Sequence, residues 1–125
     1  MDRAILHLML LMIIWCCINT AGEVFIKIGA KDLPAIHSSK DFLGYLIHVL
    51  INPLVMVGIV VSALDLLLWI DILKNGDLSL VAPLSALNYL FALGAGVIFF
   101  REAISAARLI GIGLIILGVV VLARS

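Results

Sequence analysis

Charge is the feature that this sequence has least of. Only 13% of its 125 residues are charged, and eight basic residues are balanced by eight acidic ones. A sparse and balanced charge excludes both a basic face for nucleic acid and an acidic, solvated arm. The chain also has only two cysteines, Cys16 and Cys17. They are adjacent, so their side chains point apart and predict buried thiols rather than a disulfide framework.

Apolar residues dominate instead. They make up 65% of the chain, and the mean hydropathy is +1.31. A soluble domain of this length cannot bury so much apolar surface. We therefore expect an integral membrane protein whose partners are lipids and other helices.

Four apolar runs are long enough for a helix that crosses a bilayer core, which takes about 20 residues. They extend from about Ile5 to Ile28, from just after Pro53 to the turn Lys74 to Asp77, from about Leu80 to Phe100, and from about Ser105 to Ala123. We predict an all-α membrane protein in which residues 1–125 form a single four-helix transmembrane domain.

The segment Ser39 to Ile51 is apolar but too short to cross a bilayer alone. Its apolar and polar residues alternate at roughly helical spacing, which favours an interfacial amphipathic helix between the first and second spans. The alternative is one long tilted helix, continuous with the second span and kinked at Pro53.

Basic residues give only a small orientation signal. The side with the N-terminus, the second loop and the C-terminus has three of them, Arg3, Lys74 and Arg124. The other side has four or five, namely Lys31, Lys40, Arg101, Arg108 and, at its edge, Lys27. The difference gives a weak preference for a periplasmic N-terminus. So small a bias also permits insertion both ways and an antiparallel dimer.

Polar residues recur on one face of the first span, at steps of three or four. They are Cys16, Asn19, Thr20, Glu23 and Lys27. A charge at the bilayer centre costs about 2.5 to 3.5 kcal/mol on insertion scales, so this face points to a bundle interior or an aqueous cavity. Either Glu23 and Lys27 pair with each other near the interface, or they form a site for a substrate or proton.

Asp65 lies near the middle of the second span and has no basic residue within one helical turn. It shares a face with other residues that would form a polar notch beside an aromatic ring, Gly58, Ser62 and Trp69. This face lines a cavity, or Asp65 is protonated and hydrogen-bonded to a neighbouring helix. The third span adds hydrogen-bonding groups at membrane depth, Ser85 and Asn88 among them.

The fourth span carries small residues on one face, Ala107, Gly111 and Gly118. Small residues at this spacing let another helix approach closely, so we predict a helix-packing or dimerisation face. The sequence has no metal-ligand cluster, and His7, His37 and His48 are scattered without a Ser or Cys partner. We therefore expect no metal, no cofactor and no enzymatic activity.

The chain resembles the EamA-like four-helix units of the drug/metabolite transporter superfamily over nearly its whole length. The matching segments are TAGEVFIKIGA, the NP that opens the second span, DLSLVAPLSALNYL and REAISAARLIGIGLIILGVVVL. Within that superfamily it is similar to the small flippase subunits for undecaprenyl phosphate-linked aminoarabinose. The more distant small multidrug resistance family has its working Glu about two turns before a Lys, and Asn19 stands eight residues before Lys27.

The resemblance implies a bacterial inner-membrane flippase for a polyprenyl phosphate-linked sugar. Lys27 would bind the phosphate, and Glu23 would hold Lys27 or an amino group of the sugar. Asn19, Ser85 and Asn88 would bind the sugar along a groove. Asp65 would be a polar binding position in the middle of the membrane, at a place where this family has an apolar or small residue. Arg101 and Glu102 would form an interfacial ion pair or the opposite lip.

One four-helix unit is half of a two-repeat transporter, so a cavity at a repeat interface needs a second copy or a partner. We expect a homodimer or a heterodimer with a similar small membrane subunit. Two alternatives stay open: a proton-coupled exporter of organic cations of the small multidrug resistance type, and a membrane assembly or regulatory subunit without transport.

Overall fold

Helices account for nearly all of the computed structural model, which describes residues 3–36 and 38–125. They are α1 (Arg3–Ala30), α2 (Phe42–Ile51), α3 (Pro53–Asn75), α4 (Leu78–Leu84), α5 (Asn88–Phe100) and α6 (Ala106–Arg124). Two single 3₁₀ turns, Ser39–Asp41 and Ser85–Leu87, precede α2 and α5. His37, one of the three scattered histidines, lies outside the described residues.

Four segments are long and apolar enough to cross a membrane, which confirms the predicted all-α membrane fold. They are α1, α3, the segment Leu78–Phe100 formed by α4 and α5, and α6. The third span is less regular than its apolar run predicts, because Pro83 lies inside α4 and the 3₁₀ turn follows it. Proline has no backbone N–H and crowds the preceding helical turn, so regular helix ends there.

A break at Asn52 separates α2 from α3. Asn52 has an extended backbone, and its side-chain oxygen accepts hydrogen bonds from the backbone N–H groups of Leu54 and Val55 at 3.1 and 3.2 Å. Pro53 occupies the first helical position, where its missing N–H costs nothing. The amide of Asn52 also donates to the Gly29 carbonyl at 2.8 Å. The segment before Pro53 is therefore a separate helix, not the first part of one kinked span.

The buried core lies where α1, α3, α4 and α6 meet, toward the start of α1. Its fully packed members are Leu8, Met12, Cys16, Ile72, Val81, Leu84 and Val119. Cys16 is thus a buried thiol, as predicted, whereas Cys17 is exposed. Helix α6 contributes only Val119 to the buried set, so most of its surface is left free by this chain.

Glycines bring α1 and α3 into close contact. A Cβ atom added at Gly58 would lie 2.8 Å from the Gly22 carbonyl oxygen, and one added at Gly29 would lie 2.8 Å from the backbone nitrogen of Val55. Gly22 and Gly29 are seven residues apart, the same spacing that the sequence shows in the fourth span.

The small residues of α6 have open space around them within this chain. A Cβ atom added at Gly111 or Gly118 would meet nothing within 4 Å, and Ala107 is exposed. Helices of this chain therefore do not approach α6 closely at these glycines. Their use for contact with another chain stays a prediction.

We expect Gly58→Ala to lower the free energy of unfolding by about 1 to 2 kcal/mol, because the added methyl group meets backbone atoms that cannot move aside cheaply. Equilibrium unfolding in detergent micelles, followed by tryptophan fluorescence, measures this change. The matched control is Gly113→Ala on α6, where nothing lies within 4 Å and helix propensity favours alanine. Equal stability of the two variants would contradict close α1–α3 packing.

Candidate functional site

Three helices contribute to a half-buried polar network of four residues, Thr20, Asn88, Asn19 and Asp65. The Asn19 amide donates to Asp65 at 2.7 Å, and its side-chain oxygen accepts from the Asn88 amide at 2.8 Å. The Thr20 hydroxyl donates to the Asn88 side-chain oxygen at 3.2 Å. Because hydrocarbon offers no alternative partners, these bonds hold α1, α3 and α5 in register.

Asp65 is packed against α1 and is only 6% exposed. The predicted cavity face of α3 makes contacts with α1 along its length: Gly58 lies against Gly22, Asp65 against Asn19, and Trp69 against Trp15. The prediction that this face lines a cavity is corrected accordingly. The other interpretation, a carboxyl group hydrogen-bonded to a neighbouring helix, describes the contact that the structure contains.

Trp69 stacks on Trp15 with ring centroids 4.8 Å apart and an angle of 34° between the planes. Both rings pack on the buried core. Such a pair adds about 0.5 to 1.5 kcal/mol beyond the area that it buries. Trp69 is thus placed for helix packing, one turn beyond Asp65 on α3.

Lys27 forms an ion pair with Glu102, which lies in the loop between α5 and α6. Both side chains remain partly accessible, at 53% and 36%. The Lys27 ammonium also lies 4.5 Å from the centre of the Phe100 ring. The sequence predicted two pairs between residues that are close in the chain, Glu23 with Lys27 and Arg101 with Glu102. Among the described residues, Lys27 pairs instead with a residue 75 positions away.

The turn that ends α5 places the Glu102 side chain next to Lys27. Arg101 has a left-handed backbone with φ 51° and ψ 38°, a conformation that usually requires glycine. The backbone N–H of Glu102 then donates to the Gly96 carbonyl at 3.1 Å, and its carboxylate lies over Gly96. A Cβ atom at Gly96 would be 2.6 Å from a Glu102 carboxylate oxygen, so the missing side chain makes room for this contact.

A cavity of about 210 Å³ opens between the end of α1 and α5. Its charged lining consists of Glu23, Lys27 and Glu102, and Thr20 connects its wall to the half-buried polar network. We call it the charged cavity. It thus combines one ammonium group, two carboxylates and one hydroxyl, of which only the Glu102 carboxylate lies outside a membrane-spanning segment.

The remaining predicted site residues lie behind or beside this cavity. Three of them do not line the cavity but are connected to it by the hydrogen bond between Thr20 and Asn88, namely Asn19, Asp65 and Asn88. The Ser85 hydroxyl donates to the Ala82 carbonyl near the end of α4 at 2.5 Å and does not line the charged cavity either. In residues 3–36 and 38–125, no group of three or more His, Cys, Asp or Glu side chains could hold a metal ion.

Thr20 and Glu102 line the charged cavity but are missing from the predicted binding residues, where Glu102 was offered only as part of an ion pair with Arg101 or of the opposite lip. The contribution of Glu102 depends on the left-handed turn at Arg101, for which the sequence carries no glycine as a signal. The one available hint was its position directly after an apolar run, beside Arg101.

The hydrogen bond from Lys27 lowers the pKa of the Glu102 carboxyl below its ordinary value of 4.5, and the charge of Lys27 lowers it further. Because the pKa is lowered in the folded protein, the ion pair is fully present above pH 4.5 and is lost as the pH falls through the lowered pKa. We expect Lys27→Met to move the Glu102 pKa back toward 4.5. Carboxyl ¹³C chemical shifts measure this, and Glu23→Gln assigns the signals since the chain has only two glutamates.

Lys74→Met, at the far end of α3, is the control for that titration and should leave the Glu102 pKa unchanged. A Glu102 signal that titrates identically with and without Lys27 would contradict the ion pair.

Comparison with known proteins gives consistent matches for this chain. The family described as "EamA-like transporter family" matches residues 3–124. A protein of Aeromonas salmonicida (strain A449), named "Probable 4-amino-4-deoxy-L-arabinose-phosphoundecaprenol flippase subunit ArnE", is 29% identical over 117 residues, which cover 91% of this chain and 95% of that protein. The corresponding subunit named ArnF, of Proteus mirabilis (strain HI4320), is 30% identical over 105 residues, covering 80% and 79%.

No solved structure matches the chain significantly. Four membrane-crossing helices, together with relatives that are flippase subunits, identify a multi-pass protein of the bacterial inner membrane. The match extends from the start of α1 to the end of α6 and includes every residue of the charged cavity. The chain belongs to the EamA-like transporter family.

Proposed function

We propose that this protein is a flippase subunit that moves a polyprenyl phosphate-linked amino sugar across the bacterial inner membrane as part of a dimer. The observation that carries the proposal is the charged cavity, in which Lys27 lies with Glu23 and Glu102 at the end of a membrane-spanning helix. Ionisable groups at such positions are costly and commonly mark substrate pathways.

The charges of the charged cavity complement the head of such a lipid. An amino sugar joined to a polyprenyl chain through a phosphodiester carries one positive and one negative charge. Lys27 matches the phosphate, and the carboxylates of Glu23 and Glu102 match the ammonium group. Lys31, whose ammonium lies 5.4 Å from the Phe100 ring centre, adds a second cation near the mouth. The relatives from Aeromonas and Proteus are named for a substrate with these two groups.

The half-buried polar network supports the binding residues in this proposal. Asn19 and Asn88 orient Thr20 at the inner end of the charged cavity, and Asp65 fixes Asn19. Sugar hydroxyls would meet Thr20 before they reach the network. The other predicted binding residues then hold the helices in position and do not contact the substrate directly. They are Asn19, Asp65, Asn88, Ser85 and Trp69.

A second chain completes the transporter in this proposal. The structure leaves Gly111 and Gly118 of α6 open, and a two-repeat transporter has twice this number of spans. The second chain is another copy or a similar small membrane subunit, and the small face of α6, including Ala107, packs against it. Transport without chemical change of the substrate is the activity proposed.

Export of organic cations is the second candidate, favoured by one observation: carboxylates outnumber ammonium groups in the charged cavity, two to one. Asn19 argues against it, because an amide stands where the small multidrug resistance family places its working carboxylate relative to Lys27.

Reconstitution in liposomes tests the function. The purified protein, alone and with a co-expressed similar subunit, is expected to move aminoarabinose-linked undecaprenyl phosphate between leaflets, as detected by a membrane-impermeant amine reagent. Proton-driven uptake of an aromatic cation without movement of the lipid would establish the exporter instead. Stable capture of a partner protein, with neither substrate moved by the captured complex, would establish an assembly subunit.

A further inference from the structure

An apolar groove of about 630 Å³ runs between α1 and α5 on the side next to the charged cavity. Large apolar side chains form most of its walls, namely Phe25, Ile28, Leu90, Phe91, Ile98 and Phe99. The floor includes Gly94, where an added Cβ atom would meet nothing within 4 Å. We call it the α1–α5 groove.

The α1–α5 groove and the charged cavity share part of one wall. Thr20, Val24 and Ala95 line both of them. An occupant that fills the two together has a charged head beside Lys27 and an apolar chain along α1. The pair of sites therefore fits an amphiphile with a charged head better than a water-soluble sugar or a purely apolar molecule.

The dimensions of the groove favour one chain over two. Its wall on α1 extends over eleven residue steps, from Cys17 to Ile28, which correspond to roughly 16 Å of helix. It is bounded on its two sides by a single pair of helices, so it offers one path away from the charged cavity. A phospholipid brings two acyl chains to one phosphate, whereas a polyprenyl phosphate brings one chain.

We propose that the α1–α5 groove binds the isoprenoid units nearest the phosphate of the lipid-linked substrate, and that the rest of the chain stays in the bilayer. This inference rests on the proposed function and adds a tail site to it. Lipid is as apolar as the groove, so burial alone provides no driving force. Binding comes from packing against a fixed shape, which lets the groove distinguish a branched isoprenoid from straight acyl chains.

The test compares Gly94→Leu, which fills the groove with an apolar side chain, with Gly113→Leu on α6. Neither position has an atom within 4 Å of an added Cβ, so the two variants are matched for helix packing. Two probes are used in nanodiscs: undecaprenyl phosphate and water-soluble aminoarabinose 1-phosphate. We expect Gly94→Leu to weaken binding of undecaprenyl phosphate about tenfold, which corresponds to about 1.4 kcal/mol. Binding of the soluble head should be unchanged, and Gly113→Leu should change neither.

A measurement on the unaltered protein makes the test independent of folding of the variant. A polyprenyl phosphate with a photoreactive group near its phosphate should crosslink to α1 and α5 at groove residues such as Phe25 and Ile98. A phospholipid with a photoreactive acyl chain should crosslink there much less. Equal crosslinking by the two lipids would overturn the proposal in favour of a general lipid groove.

Other outcomes separate the tail site from the function. If Gly94→Leu does not change binding of undecaprenyl phosphate and the lipid-linked sugar is still moved, the tail site is overturned. The proposed flippase function is not affected by that result. Loss of the dimer in Gly94→Leu, without a change in lipid binding, would assign the groove to a second copy. If the unaltered protein binds neither probe and moves no lipid-linked sugar, the proposed function fails and the tail site fails with it.

Discussion

Replacing Lys27 with methionine is expected to reduce movement of the lipid-linked sugar by about 10- to 150-fold. A charge-assisted hydrogen bond to a phosphate contributes roughly 1.5 to 3 kcal/mol, and each 1.4 kcal/mol is a tenfold change in affinity. Methionine keeps the length and apolar stem of lysine, so the loss reports the ammonium group. Initial rates in liposomes measure it, with folding checked by the tryptophan fluorescence of the Trp15–Trp69 pair.

Two further variants sharpen the experiment on Lys27. Lys74→Met removes an exposed cation at the other end of the bundle and should leave the rate unchanged. Glu102→Gln frees Lys27 from its partner and should strengthen binding of a phosphate-only probe while weakening binding of the amino sugar. A wild-type rate for Lys27→Met would remove Lys27 from the substrate path.

Asn19→Leu is expected to lower the free energy of unfolding by about 2 to 3 kcal/mol, because it breaks two half-buried hydrogen bonds worth roughly 1 kcal/mol each and leaves the buried Asp65 without this donor. It leaves Asp65 unpaired at 6% exposure and takes away the acceptor of the Asn88 amide. Equilibrium unfolding in micelles gives the change. Transport should fall as well, since Thr20 loses the support that orients it.

A double-mutant cycle with Asp65→Leu separates this network from simple changes in packing. Once Asn19 is leucine, an apolar residue at position 65 removes the unpaired carboxyl, so the double variant should be more stable than the sum of the single changes predicts. Asp65→Asn keeps an acceptor for the Asn19 amide and should cost less than Asp65→Leu. Strict additivity would show that the contact between Asn19 and Asp65 contributes nothing.

The four spans could be predicted because the bilayer imposes a length and a composition on each crossing helix. A separate helix before Pro53 was the favoured of two predictions, since the segment Ser39 to Ile51 is too short to cross a bilayer alone. The inward direction of the polar face on the first span could also be predicted, because a charge exposed to lipid is costly.

Partners of these polar groups could not be predicted in the same way. The sequence offered Glu23 for Lys27 and no partner for Asp65, since only neighbours within a helix have known distances. The structure pairs Lys27 with Glu102 and Asp65 with Asn19, which are 75 and 46 positions apart. Glycine spacing also could not show which helix packs within the chain, because the seven-residue pattern occurs in both α1 and α6 and only the structure shows the contact of α1 with α3.

The sequence by itself determined that this is a four-span membrane protein with an inward polar face on its first helix. Bilayer thickness and the cost of burying charge act on each segment alone, so a local pattern is enough to report them. Only the tertiary structure decided that Glu102 pairs with Lys27 in the charged cavity and that Asp65 accepts a hydrogen bond from Asn19. Those contacts depend on how α1 meets α3 and α5, which no single segment specifies.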